Sequence, residues 1–291
     1  VWKDFAGGDA GDALDLVARV LFGGDKKLGI PWARQWLGLD SPDPAVLAQA
    51  RAQAQEQGDA RAEQADADRE KTRNTAFAMW LSAQANVLGT PVDRYLRGRG
   101  IVLAELGKQP GALRYHTGLW HQQSGRHWPG LVTAITDMRG KHMATHRTFL
   151  EVQGERVHKA PIEPNKMVLG GYAGGCIRLW RGASNKPLHQ GPDGETVDIT
   201  EGIEDGLSVA MAAPECRVLA AVSLSNIAAL KLPDSVRAVR IWRQRDDTNV
   251  ALRAMDKAVA AHVAAGRQVL LPEIPPGFKD VNDMLRGGNG Q

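Results

Sequence analysis

The chain has 291 residues, 43% of them hydrophobic, which is enough for two domains with a sizeable core. Its formal net charge is only +3 and it carries two cysteines, Cys176 and Cys216, so neither a disulfide framework nor a Cys/His zinc ribbon can be built from it. No stretch approaches the ~20 apolar residues of a membrane span, and the cysteine usage fits a reducing, cytoplasmic setting. The chain opens at Val1 rather than at a methionine and shows no signal peptide, as expected of a piece cut from a longer protein.

Taken in chain order, Trp2-Lys3-Asp4-Phe5 leads through a Gly/Asp turn to Asp12. Asp12 is placed to cap a helix carrying Leu14, Val17, Ala18 and Leu21 on one face. A second short helix, Pro31 to Leu37, sets Trp32 and Trp36 at i,i+4. Residues 43–73 are Ala, Gln and charge, with almost no large apolar side chain. They predict an exposed helical linker with a break at Gly58. Phe77, Trp80, Leu81 and Leu88 then recur at helical spacing, and Thr90-Pro91 marks another helix start. From about 111 to 181 the pattern is short strands and turns, with Leu131–Asp137 and His142–Leu150 flanking Met138-Arg139-Gly140-Lys141 as a hairpin. The run Gly170–Gly175 reads as a mobile turn before a strand Cys176–Trp180, and it is not a Walker sequence.

From 196 onward strands and helices alternate: Thr196–Thr200, helix Ile203–Ala212, Arg217–Val222, helix Ser225–Leu230, Val236–Trp242, helix Val250–Ala265, Gln268–Ile274. That order predicts a parallel α/β sheet with right-handed crossovers. The expected segments are 1–42 helical, 43–74 linker, 75–190 basic α+β and 191–291 α/β.

Three acidic clusters follow the strands of the last segment: Glu201 with Glu204 and Asp205, Asp246-Asp247, and Asp280 with Asp283. Loops after the carboxyl ends of parallel strands meet at one edge of a sheet. Carboxylates gathered there without lysine partners repel one another unless divalent cations sit between them. The pattern points to Mg²⁺-dependent chemistry on phosphates. A first-turn glutamate favoured by the helix dipole is the plain reading of Glu201 taken alone.

Charge is split along the chain. Residues 75–190 carry 15 Lys+Arg against 6 Asp+Glu, a net of +9, whereas 191–291 carry 11 against 14, a net of −3. A basic module beside an acidic one suits a polyanion held by the first and processed at the second. Arg94, Arg97, Arg99, Lys141, His146, Arg147, Lys159 and Lys166 are the candidate phosphate contacts. Trp120, Trp128 and Tyr172 are candidates for base stacking, with core packing the favoured reading of Trp120 and Trp180. His116, His121 and His127 lack the spacing and acidic partners of a metal site.

Glu201-Gly202-Ile203-Glu204-Asp205-Gly206, the acidic loop after Trp242 and Lys279-Asp280-Val281-Asn282-Asp283 together resemble the Toprim domain. This is the catalytic domain of bacterial-type primases, type IA and type II topoisomerases and some nucleases, and the flavour here is that of phage and plasmid primases. Tyr95–Ile101, the strand pair around His146-Arg147 and Trp2–Leu21 are similar to the segments that precede Toprim in such primases. The resemblance implies a Toprim-type parallel sheet domain preceded by a basic α+β primase-core subdomain and an N-terminal helical segment, the last similar to the stretch that follows the zinc-binding module in such primases. It implies primer synthesis from ribonucleoside triphosphates on a single-stranded DNA template, a replicative helicase on a separate chain as partner, and no membrane. It casts Glu201 as acid or base, and Asp246, Asp247, Asp280, Asn282 and Asp283 as metal ligands for Mg²⁺ or Mn²⁺, flanked by Gln244 and Lys279. Gln244 and Asn282 stand where the family carries acids, so the site has lost charge at two positions. A catalytically reduced Toprim module that binds DNA or a replication partner, and a Toprim nuclease, are the alternative implications.

Overall fold

The computed structural model describes residues 2–3, 10–39, 44–245 and 248–287. They fall into two compact units, Val1–Asp66 and Ala67–Gln291.

In the first unit a two-residue ladder, β1 (Trp2–Lys3) against β2 (Ala10–Gly11), precedes α1 (Ala13–Phe22). Asp12 caps α1 as expected, and Asp15 returns the contact to the Asp12 N–H in a capping box. Helix α2 begins earlier than its Trp pair alone implies, at Lys26, capped by Asp25, and runs to Trp36. Trp32 and Trp36 stack with ring centroids 6.3 Å apart.

Helix α3 runs unbroken from Pro44 to Ser82, so the expected break at Gly58 does not occur. Glycine lowers helix propensity by about 1 kcal/mol, and the Ala/Gln/Glu/Arg residues on either side more than offset a single such cost. The end of α3 belongs to the second unit, where Thr145 Oγ1 donates to the Ala76 carbonyl and Trp80 Nε1 to that of Ala112.

Helix α4 (Pro91–Gly98) starts on a Thr90 cap with Pro91 at its first position. An antiparallel sheet follows: β3 (Leu113–His121), β4 (Arg126–Thr136), β5 (His142–Gln153) and β6 (Arg156–Lys159) in that spatial order, with β7 (Lys166–Leu169) also on β5. The second sheet contains β8 (Ile177–Arg181), β9 (Glu195–Thr200), β10 (Arg217–Ala220), β11 (Val236–Trp242) and β12 (Gln268–Leu270), ordered β12-β11-β9-β10-β8. Helices α5 (Ile203–Ala212), α6 (Leu224–Ile227) and α7 (Asn249–Ala264) intervene, and α8 (Val281–Leu285) closes the described chain. Four of these strands are parallel, but β8 pairs antiparallel with β10. The expected wholly parallel sheet is therefore mixed, and its antiparallel edge comes from the basic segment.

One core joins the two sheets. Leu96, Ile101, Leu131 and Ile135 pack in the same cluster as Leu179, Leu207 and Val218. Gly206 on α5 makes that approach possible, because a Cβ there would lie 2.8 Å from Thr200 Oγ1 and run into Leu179 Cδ1. The absent side chain draws α5 down onto β8 and β9 and fixes where Glu204 and Asp205 emerge. Among the described residues no helix is long and apolar enough to cross a membrane.

Candidate functional site

Strand β9 ends at Thr200 and α5 starts after Gly202, so Glu201 lies in the sharp turn at the carboxyl edge of the sheet. The Glu201 carbonyl accepts the Val222 N–H at 3.0 Å. Val222 holds φ at 75°, a left-handed conformation that costs a β-branched residue about 1–3 kcal/mol. This strained turn at the end of β10 anchors the backbone beside Glu201. The Glu201 side chain borders a small hollow with Trp242, Arg243 and Gln244.

Asp205 is 5% exposed. Its Oδ2 accepts Gln244 Nε2 and its Oδ1 accepts the Asn282 backbone N–H, both at 3.1 Å. Burial, then the nearby Asp280 carboxylate, push its pKa up to about 6. Asp280 caps α8, accepting the Asp283 N–H at 2.8 Å, while Asp283 accepts the Lys279 N–H at 3.1 Å. The Arg245 N–H donates to the Lys279 carbonyl, tying the loop after β11 to the loop before α8. The strand ends thus gather Glu201, Asp205, Gln244 and Asp280 as the sequence pattern implies, with Asp205 the member that the sequence reading left out of the ligand set.

Asn282 is fully buried and serves a different end. Its Nδ2 donates to the Arg99 carbonyl at 2.8 Å and to Ser208 Oγ at 3.0 Å, pinning the turn after α4 to α5 and α8. Asp246 and Asp247 lie outside the described residues. Among the described residues no three His, Cys, Asp or Glu side chains stand together at metal-ligating separations. The oxygen donors that are described fit a hard divalent cation. The Asp280 carboxylate acts on Asp205 as a like charge, and a cation held between them would relieve the raised pKa of Asp205.

Glu204, next to Asp205, is 7% exposed and does have lysine partners, contrary to the expectation for these acidic loops. Tyr95 OH donates to it at 2.7 Å, Lys159 Nζ stands at 3.2 Å and Lys166 Nζ at 3.4 Å. Burial opposes ionisation of Glu204, but Lys166, Lys159 and the Tyr95 hydroxyl outweigh it and hold the carboxyl well below its ordinary range. Two candidate phosphate contacts, Lys159 and Lys166, therefore converge on one buried acid.

The other basic candidates are dispersed. Arg147 is half-buried over the Phe149 ring. Arg94 bonds the Gly154 carbonyl, Arg97 pairs with Asp93 at 3.2 Å, and Arg99 is held through its carbonyl by Asn282. Lys141 sits at the β4–β5 hairpin. His146 is buried, and desolvation followed by Lys166 lowers its pKa to about 4, so it is neutral near pH 7 and packs inside the sheet.

Among the aromatics, Trp120 is 50% exposed, so the favoured core reading of it does not hold; Trp128 is buried instead, with Arg126 over its ring. The Gly170–Gly175 run is not a free turn. Asn226 accepts the Gly174 N–H and donates to the Gly175 carbonyl, which fastens the run to α6.

Two family descriptions match the chain: a domain of unknown function (DUF7146) over residues 70–179 and the Toprim domain over residues 196–290. No curated protein matches it. Among solved structures, the zinc-binding and RNA polymerase domains of the Aquifex aeolicus primase are 15% identical, covering 95% of this chain and 67% of that one with a TM-score of 0.51. The DnaG primase catalytic domain bound to ssDNA is 14% identical, covering 77% of each chain, also at 0.51. The primase fragment of the bacteriophage T7 primase-helicase protein is 15% identical over 67% of this chain and 70% of that one, with a TM-score of 0.45.

Proposed function

We propose that this chain, a Toprim-domain protein with the fold of primase catalytic cores, joins ribonucleotides into short primers on single-stranded DNA at the carboxyl edge of its second sheet. The observation that carries the reading is the Asp205–Asp280 carboxylate pair beside Glu201, at the ends of strands that this topology brings together.

Asp205 and Asp280, with the Asp246-Asp247 loop completing the set, would hold Mg²⁺ or Mn²⁺. A cation held there would offset the charge on the triphosphate being attacked. The Glu201 carboxylate takes the proton from the attacking 3′-hydroxyl, a role that needs only its place at the strand end and access to the edge. Arg147, together with the one positive charge by which Lys159 and Lys166 exceed Glu204, makes the neighbouring sheet basic, and a template strand is held there by its phosphates, with binding that falls with salt. Gln244 keeps the Asp205 carboxylate oriented by donating to Oδ2. A replicative helicase on a separate chain is the expected partner.

The test is labelled-ribonucleotide primer synthesis on single-stranded DNA with Mg²⁺ and with Mn²⁺. Glu201→Gln and Asp280→Ala are each expected to cut the yield at least about a hundredfold. Full primer synthesis by Glu201→Gln would remove the acid–base assignment. A second reading rests on Gln244 and Asn282, two amides engaged in internal hydrogen bonds: the scaffold binds DNA or a replication partner without joining nucleotides. DNA binding that survives EDTA and Asp280→Ala, with no primer made, supports that reading. Nicking of supercoiled DNA with Mn²⁺ would instead mark a nuclease.

A further inference from the structure

A separate cavity of about 480 Å³ opens at edge strand β8, two strands removed from β9 and so roughly 10 Å from it across the sheet. Its walls include Trp80, Lys108, Arg178, Trp180, Arg181 and Asn185. Both indoles are held in place by backbone: Trp80 Nε1 donates to the Ala112 carbonyl at 2.9 Å and Trp180 Nε1 to that of Pro214 at 2.6 Å. The cations are held by neutral oxygens. Lys108 donates to the Asn185 side-chain carbonyl, Arg178 to the Asp137 backbone carbonyl at 2.6 Å and Arg181 to the Asn185 backbone carbonyl at 3.3 Å. None of the three is ion-paired with a carboxylate among the described residues. The nearby Asp137 carboxylate accepts the Arg139 and Lys141 N–H groups through Oδ1 and offsets part of the Arg178 charge, leaving a positive excess in the cavity. Lys108 Nζ stands 5.3 Å over the Trp180 ring, which joins a positive charge to a flat apolar wall.

We infer that this cavity is a second nucleotide site, taking one base against the Trp180 wall and its phosphate against Lys108, Arg178 and Arg181. The reasoning is chemical. Three cations around one half-open cavity repel each other, and an anion entering it relieves that repulsion. Trp80 is already engaged, with the Arg114 guanidinium 3.8 Å over its ring and Phe77 stacked on it, but a bare phosphate or sulfate would leave the Trp180 indole without a role, whereas a base has a face that stacks on it. The volume lies within the usual range for small-molecule sites, and the paucity of acids excludes cationic ligands. The nucleotide is either free or part of a single strand, and the chemistry of the walls is the same for both.

The experiment is equilibrium binding of labelled ATP and of a five-residue oligothymidylate to the whole chain at low salt. EDTA is present throughout, so that failure of the proposed catalytic edge leaves this measurement untouched. Lys108→Glu, at an exposed position that the fold does not need, and Trp180→Leu are each expected to weaken binding about tenfold or more. Thermal melting checks that Trp180→Leu remains folded. Because the proposed template face also binds an oligonucleotide in EDTA, the affinity that Lys108→Glu removes is what reports on the cavity: a larger loss for ATP assigns the site to a free nucleotide, and a larger loss for the oligonucleotide assigns it to a strand. Binding of tripolyphosphate as tight as that of ATP, absence of binding by either probe, or unchanged affinity in Lys108→Glu would overturn the assignment.

Discussion

Glu204 and Asp205 are consecutive residues of one helix, both more than nine-tenths buried, and their surroundings are opposite. Successive side chains on an α-helix point about 100° apart. Glu204 turns to the antiparallel sheet and meets Lys159, Lys166 and the Tyr95 hydroxyl. Asp205 turns to the strand ends and meets Asp280. The first acid is ionised and satisfied, and it joins the two sheets. The second is held partly protonated near neutral pH, which fits the ligand role proposed for it. Burial therefore does not tell a structural acid from a functional one, whereas the sign of the neighbouring charge does.

The largest expected effect breaks the satisfied side. Glu204→Gln leaves Lys159 and Lys166 facing each other without a counter-charge and is expected to cost about 3 kcal/mol in urea denaturation at pH 7. Because the folded pKa of Glu204 is depressed, its stabilisation is complete above about pH 4.5 and is lost as pH falls below that value. The gap between native and variant stability should close in acid; a gap that stays constant down to pH 3 would mean that the charge is not what matters.

Asp205→Asn acts in the opposite direction. A carboxyl with a raised folded pKa costs nothing below about 3.8, costs progressively more up to about 6, and keeps its full cost above that. The variant is expected to be about 2 kcal/mol more stable than the native chain at pH 7 in EDTA, and no more stable near pH 3.5. Added Mg²⁺ should raise the Tm of the native chain and leave the variant nearly unmoved. Destabilisation by Asp205→Asn at pH 7 would remove the contrast between the two acids.

Gly206 sharpens the comparison because it sets the depth of the helix for both neighbours. Gly206→Ala is expected to cost about 1–2 kcal/mol through contact with Leu179 and Thr200, and to lower metal affinity as α5 lifts. An unaltered Mg²⁺ titration would show that helix depth does not tune the site. The smallest effect belongs to a half-exposed cation: Arg97→Ala removes the contact to Asp93, which is buried but still accepts the Gly89 N–H, and should lower stability by about 1 kcal/mol.

Much of this was legible in the sequence. Helix α5 and strand β11 fall on Ile203–Ala212 and Val236–Trp242 as read, because β-branched runs and a helix start after Gly202 leave little choice. Glu201 at a strand end followed from the same pattern. The division of labour between Glu204 and Asp205 was not legible, since Lys159 and Lys166 approach from a strand pair about forty residues upstream. The antiparallel direction of β8 was hidden for a similar reason, because its pairing with β10 spans a long connection. Trp120 and Trp128 look alike as sequence, and only the pleat of β3 and β4 decides which one faces water.

The two family matches end and begin on either side of residues 180–195, which makes that stretch look like a natural place to cut. Strand β8 argues against it. A fragment starting at residue 196 would leave β10 as a bare rim, its backbone N–H and C=O groups open to any passing strand, and would strip Leu179 from the packing under α5. For anyone dissecting this molecule, the smallest piece worth expressing begins near Ala67, ahead of the helix end that supports the antiparallel sheet, and keeps both matched regions on one polypeptide.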